Sequence, residues 1–143
     1  MIKISFAHIN ATNIEAALHR LSNMPLSSLK ASYAVTKIKR KVLDAIKDRR
    51  VRYTEMITEC AEKDEKGEMV RGPDGMPVIP EANREKLAEK TKEILGGELT
   101  IDWRPLDYSE IMGCQLTPNE LEALAPVVTG LEEALSEEQK KEA

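Results

Sequence analysis

The stretch LKASYAVTKIKRKVLDAIKDRRVRYTEMITECAE, Leu29 to Glu62, decides the fold. It holds neither Gly nor Pro, and Ala31, Val35, Ile38, Val42, Ile46, Tyr53, Ile57 and Cys60 recur on one stripe at the 3.6-residue period of a helix. Such a helix spans about 50 Å, against a diameter of roughly 37 Å for a compact globule of this chain length. The expectation is an elongated monomer, or a homo-oligomer in which a second copy covers the overhanging stripe.

Toward the N-terminus, Asn23-Met24-Pro25 separates the long helix from an earlier one expected over Asn13 to Ser22. There Thr12 stands three before Glu15, the spacing at which hydroxyl and carboxylate satisfy each other's helix-start amides, and Ile14, Ala17, Leu18 and Leu21 share a face. Ser27 or Ser28 offers an oxygen to cap the long helix. Ahead of these, Ile2, Ile4 and Phe6 alternate with Lys3 and Ser5 as in a short strand, and Asn10 to Asn13 punctuates it.

Toward the C-terminus, the acidic segment Glu62 to Pro80 carries Gly72-Pro73-Asp74-Gly75 between two short apolar runs and predicts a small hairpin or ordered arm. Pro77 confines its second limb to an edge. A third helix is predicted from Pro80-Glu81 to Leu95, with Leu87, Thr91, Ile94 and Leu95 inward and Gly96-Gly97 as its stop. Leu99, Ile101 and Trp103 alternate before Pro105, a strand able to pair with the arm or with the N-terminal strand. Thr117-Pro118-Asn119-Glu120 is a second capping box, opening a helix that carries Leu121 and Leu124 and extends across Pro126 to Val128. Repeats with a period of about 20–50 residues are absent.

The fold class that follows is mostly α (α+β): a long helical hairpin with a third packed helix and a small β hairpin or strand element. At 143 residues, 41% of them apolar, the chain reads as a single helical domain over 1–135, with the arm 62–80 projecting and a polar tail over 136–143. Five aromatic residues leave the core to Leu, Ile, Val, Ala and Met. The short apolar run within Met1 to Asn10 does not have the length of a secretory h-region or a membrane span, which places the protein in the cytoplasm and predicts no membrane partner.

A net charge of −4 conceals an asymmetry, +8 over residues 1–52 and −12 over 53–143. Lys30, Lys37, Arg40, Lys41, Asp44, Lys47, Asp48 and Arg52 share the polar face of the long helix, which turns acidic at Glu55, Glu59 and Glu62. That order opposes the helix macrodipole, by about 0.3–1 kcal/mol per charge. It suits either an internal acidic segment or an acidic protein partner bound at Lys37, Arg40, Lys41 and Lys47. Nucleic acid is disfavoured, because no stacking aromatic is expected among the cations and the pI is about 5.4. Arg49 falls on the apolar stripe, either as a packed stem with its head at a carboxylate or as a polar specificity element in a helix seam. In the arm, Met69 and Met76 are candidate partner contacts, because flexible thioethers adapt to a groove.

No catalytic, cofactor or metal constellation emerges. His8 and His19 have no ligand-spaced neighbours, and Cys60 and Cys114 read as reduced, buried thiols without a nucleophile signature. The glycines match no phosphate loop. The Glu62 to Glu68 segment lacks the alternating ligands of a calcium loop.

The order of features then resembles a family of small uncharacterised tailed-phage and prophage proteins. It rests on Lys30 to Arg40, Cys60 to Glu68, Asp74-Gly75, Val78 to Asn83, Glu93 to Ile101 and Thr117 to Leu124, and spans about residues 20–128. The resemblance carries no active site. It implies a phage gene product acting in the cytoplasm of an infected bacterium or in the virion. The function expected is a non-enzymatic protein-interaction module, a minor virion or assembly component; the alternatives are an inhibitor of a host defence or host machine, and a nucleic-acid-binding accessory protein.

Overall fold

The computed structural model describes residues 1–131, so the tail expected over 136–143 lies outside the described residues. The chain is mostly α with small β elements, as its composition predicts. In order it forms β1 (Ile2–Ser5), α1 (Phe6–Ala11), α2 (Ile14–Ser22), α3 (Leu29–Cys60), α4 (Glu81–Leu95), β2 (Glu98–Ile101), β3 (Leu106–Asp107), α5 (Tyr108–Ile111), α6 (Pro118–Leu124), a 3-10 turn (Ala125–Val127) and β4 (Val128–Thr129). The length argument anticipates one domain; the chain packs as two compact units, the first from residues 1–45 together with 98 onward, the second from residues 46–97.

In the first unit β1 pairs antiparallel with β2, Ile2 opposite Ile101 and Ile4 opposite Leu99. Of the two partners open to the Leu99 strand, the N-terminal one is therefore the pair. The period of two sends Ile2 and Ile4 inward and leaves Lys3 and Ser5 in water. Their neighbours in burial are Ile14, Leu18 and Leu21 of α2, Ala31, Ala34, Val35, Ile38 and Val42 of α3, and Leu106, Ile111, Leu124 and Val127. Among the described residues, all but three of the buried apolar side chains belong to this unit; Met56, Cys60 and Ala61 are the three in the second.

Three local expectations are corrected. α2 is capped by Asn13, whose side-chain oxygen accepts from Ala16 N–H at 3.3 Å, while the Thr12 hydroxyl donates back to His8 C=O at 2.7 Å and closes α1 instead. The short α1 occupies residues read as strand end and punctuation; Ser5 caps it through His8 N–H. After the predicted Thr117–Glu120 capping box, α6 ends at Leu124, because Pro126 has no N–H to continue it, and Val128 pairs in parallel with Leu106.

A further capping box, Asp107 with Glu110, starts α5. Arg104 forks onto Glu110 with both terminal nitrogens, at 2.7 and 3.0 Å. This hydrogen-bonded pair, with Asp107 N–H as a second donor, holds the Glu110 carboxyl down at about 2. A depressed carboxyl stabilises the fold at full strength above its ordinary value of 4.5 and loses that contribution as pH falls toward 2. Glu110→Gln should therefore destabilise the protein by about 1 kcal/mol at neutral pH, given the half-exposed Arg104. Urea titrations should show the gap to the parent beginning to close near pH 5 and closing as pH falls toward 2. A gap independent of pH would mean that shape and not charge makes the cap.

Candidate protein-interaction site

In the second unit the segment between α3 and α4 is a three-limbed meander, one limb more than the predicted hairpin. Lys63 bridges to Met69 and Arg71 to Pro77. The limbs also close on one another. Glu62 N–H donates to Val78 C=O at 2.8 Å, Val78 N–H to Val70 C=O at 2.9 Å, and Val70 N–H to Glu62 C=O at 2.8 Å. Each of the three residues thus gives one bond and takes one, and no amide at this rung is left for an added strand.

The ring has a sequence origin. Lys63 to Val70 and Arg71 to Val78 are two eight-residue passages with a cation first, Gly fifth and Val eighth. Both glycines stand in left-handed backbone, Gly67 at φ 80° and Gly75 at φ 78°, where a side chain would be strained. An aspartate locks each turn: Asp64 Oδ1 accepts from Lys66 N–H and Glu68 N–H, and Asp74 Oδ1 from Met76 N–H. These carboxylates are turned onto their own backbone turns. The candidate methionines differ: Met69 is half-buried, whereas Met76 is 61% exposed. Met76 lines a cleft of about 420 Å³ with Asp74, Val78, Arg84 and Leu87.

Below the meander, α4 and the second half of α3 cap each other. Asn83 Nδ2 donates to Cys60 C=O at the end of α3, at 3.1 Å. Arg49 answers from α3, its Nε and Nη2 donating to Ile94 C=O at the end of α4, at 3.1 and 2.7 Å. The residue sits where the apolar stripe placed it. Its head meets a helix C-terminus, where a cation is also favoured by the macrodipole, and burial lowers its pKa. α4 buries none of its side chains; Leu87, Thr91 and Ile94 are half-buried and Leu95 is exposed. Arg49→Met should accordingly fray the end of α4 and cost about 1–2 kcal/mol. Hydrogen exchange at the amides of the last α4 turn checks this, and unchanged exchange would contradict it.

The cations predicted as one face divide between the units. Lys37, Arg40 and Lys41 lie in the first, Lys47 in the second, where Arg52 pairs with Asp48 at 3.2 Å. Arg40, Lys41 and Lys47 are exposed. Lys37 is half-buried, its Nζ 5.5 Å from the Tyr33 ring centroid and 5.7 Å from that of Trp103. Those two rings meet edge to face at 5.5 Å. The absence of aromatics among the cations, argued from sequence, therefore does not hold: Tyr33 lies between Lys30 and Lys37, and the fold brings Trp103 to them.

Elsewhere in the first unit, polar groups are internally used. His8 Nε2 lies 2.9 Å from Ala123 C=O, and Lys39 joins His19 Nδ1 at 3.2 Å and Ser22 Oγ at 3.0 Å. A groove of about 630 Å³ between α2 and α6 is lined in part by Arg20 and Glu120, which form an ion pair. Glu120 is held below the ordinary carboxylate range, chiefly by Thr117 N–H. Cys114 is only half-buried, and burial pushes its thiol up, whereas Cys60 of the second unit is buried. Among the described residues no group of three or more His, Cys, Asp or Glu side chains could hold a metal ion. No helix among them is long and apolar enough to cross a membrane.

Compared with protein-family models, curated proteins and solved structures, the chain has no match in any of the three.

Proposed function

We propose that this chain is a non-enzymatic protein-interaction module whose contact element is the closed meander of residues 62–78. The observation that carries the reading is the ring at Glu62, Val70 and Val78: seventeen residues outside any helix are fixed by backbone bonds, two locked turns and two left-handed glycines, yet Met76 is held in solvent. An ordered projection that presents a flexible apolar side chain beside a shallow cleft suits recognition of a protein surface, because the conformational entropy of the contact is already spent before binding. The ring uses the amides of Glu62, Val70 and Val78 internally, so at that rung recognition falls to side chains.

The resemblance to small tailed-phage proteins supplies the setting: a minor virion or assembly component. Affinity capture of the tagged chain from infected cells, read by mass spectrometry, tests it. The reading expects a phage structural or assembly protein as the dominant specific partner. A host enzyme or defence protein in that place would turn the reading to host inhibition, and nucleic acid lost steeply with salt would overturn it.

A further inference from the structure

Beyond the meander, we infer that the first turns of α3 form a second docking surface, made for an acidic amphipathic helix of a protein partner. Leu29, Tyr33, Lys37 and Arg40 follow one another at i, i+4, i+8 and i+11, so they share one side of the helix. Leu29 is 89% exposed and Tyr33 53%, although the opposite side of the same turns buries Ala31, Val35, Ile38 and Val42 completely or nearly so. Trp103 packs against Tyr33 and widens the apolar strip beyond a single helix. Tyr, Trp and Arg are the residue types on which protein interfaces concentrate their binding energy.

Charge names the occupant. Residues 29–43 contain five cations and no carboxylate. Among the described residues none of Lys30, Lys37, Arg40 and Lys41 lies within ion-pair distance of an acid. The positive end of the α3 dipole adds to the same potential. This uncompensated positive strip runs alongside Leu29 and Tyr33, so the complementary ligand carries carboxylates beside an apolar row. A helix with Leu at i, i+3, i+4 and i+7 and Glu elsewhere has that pattern. Nucleic acid fits less well: it answers the cations but leaves Leu29 in water, and the chain as a whole is anionic.

Trp103 is the sole tryptophan of the chain, so its emission reports on this surface directly. The full-length protein is titrated with a synthetic Leu/Glu helix of about four turns, with polyglutamate and with oligo-dT. The expected result is a saturable emission change with the Leu/Glu helix at an affinity about tenfold above that of polyglutamate, since apolar contacts and not charge alone set the fit. Leu29→Ala and the pair Arg40→Glu/Lys41→Glu, all at exposed positions and checked for unchanged circular dichroism, should each weaken it by about tenfold. Absence of a saturable change, equal affinity for polyglutamate, tighter binding of oligo-dT, or indifference to both variants would each overturn the inference. A protein lacking Glu68 to Val78 should bind the helix as the parent does. Loss of binding in that variant would refute a separate surface, whereas failure at α3 with the meander still active would leave the function proposed above standing.

Discussion

Deletion of Glu68 to Val78 should weaken binding of the captured partner by about a hundredfold or more, while the far-ultraviolet helical signal stays close to that of the parent. The removed residues belong to no helix. They supply two of the three ring members and both the half-buried and the exposed methionine. The caps that tie α4 to the second half of α3, Asn83 on Cys60 and Arg49 on Ile94, lie outside the deletion. Gly67→Val with Gly75→Val should approach the same loss without shortening the chain, because a β-branched residue at φ near 80° opposes both turns at once. Calorimetry against the purified partner and circular dichroism of the same samples read the two effects. Unchanged binding in the deletion would reject the meander as the contact. Rapid proteolysis within residues 62–80 of the isolated native protein would show that the ring does not hold it closed.

Leu18→Ala should cost the first unit about 2–5 kcal/mol, the range for a fully buried leucine whose site cannot collapse. Leu18 sits on α2 among side chains that are themselves almost wholly out of water. The second unit has no comparable store of burial; it is held by Met56, Cys60 and Ala61, half-buried side chains and reciprocal hydrogen bonds. Native-state hydrogen exchange should therefore find Val70 and Val78 amides opening at a lower free energy than those of α2 and β1. Uniform protection across both units, with a Leu18→Ala penalty below about 1 kcal/mol, would contradict this division of stability.

The helices were legible because their signals are local. α3 announces itself by period and by the absence of Gly and Pro, and the Thr117–Glu120 box marks α6 without tertiary help. Asn13 displaced Thr12 as a cap because both residues can cap and the Thr12 hydroxyl closes α1 instead. β3 and β4 were missed, since two-residue strands paired in parallel carry no periodicity. The division into units is silent in the sequence of α3, which continues unbroken from Ala45 to Ile46.

Of the site residues, Arg49 was placed correctly on the apolar stripe, but its acceptor is a carbonyl from a helix remote in sequence, which no pattern within α3 encodes. The aromatic neighbourhood of Lys37 needed Trp103 from beyond β2. The meander, by contrast, had a usable signal: the eight-residue spacing of Gly67 and Gly75, and of Val70 and Val78, is shorter than the repeats sought in solenoid folds, and the pairing of Glu62 with Val78 supplies the closure that turns the repeat into a ring.

The most direct measurement of the central claim is the copy number of this chain, by quantitative mass spectrometry, in density-purified particles from the cells that express it. A virion or assembly component whose meander docks on a particle protein appears at a fixed ratio to that protein, and the Glu68 to Val78 deletion removes it from the particles. A chain abundant in the infected cell but absent from particles and from assembly intermediates would contradict the account.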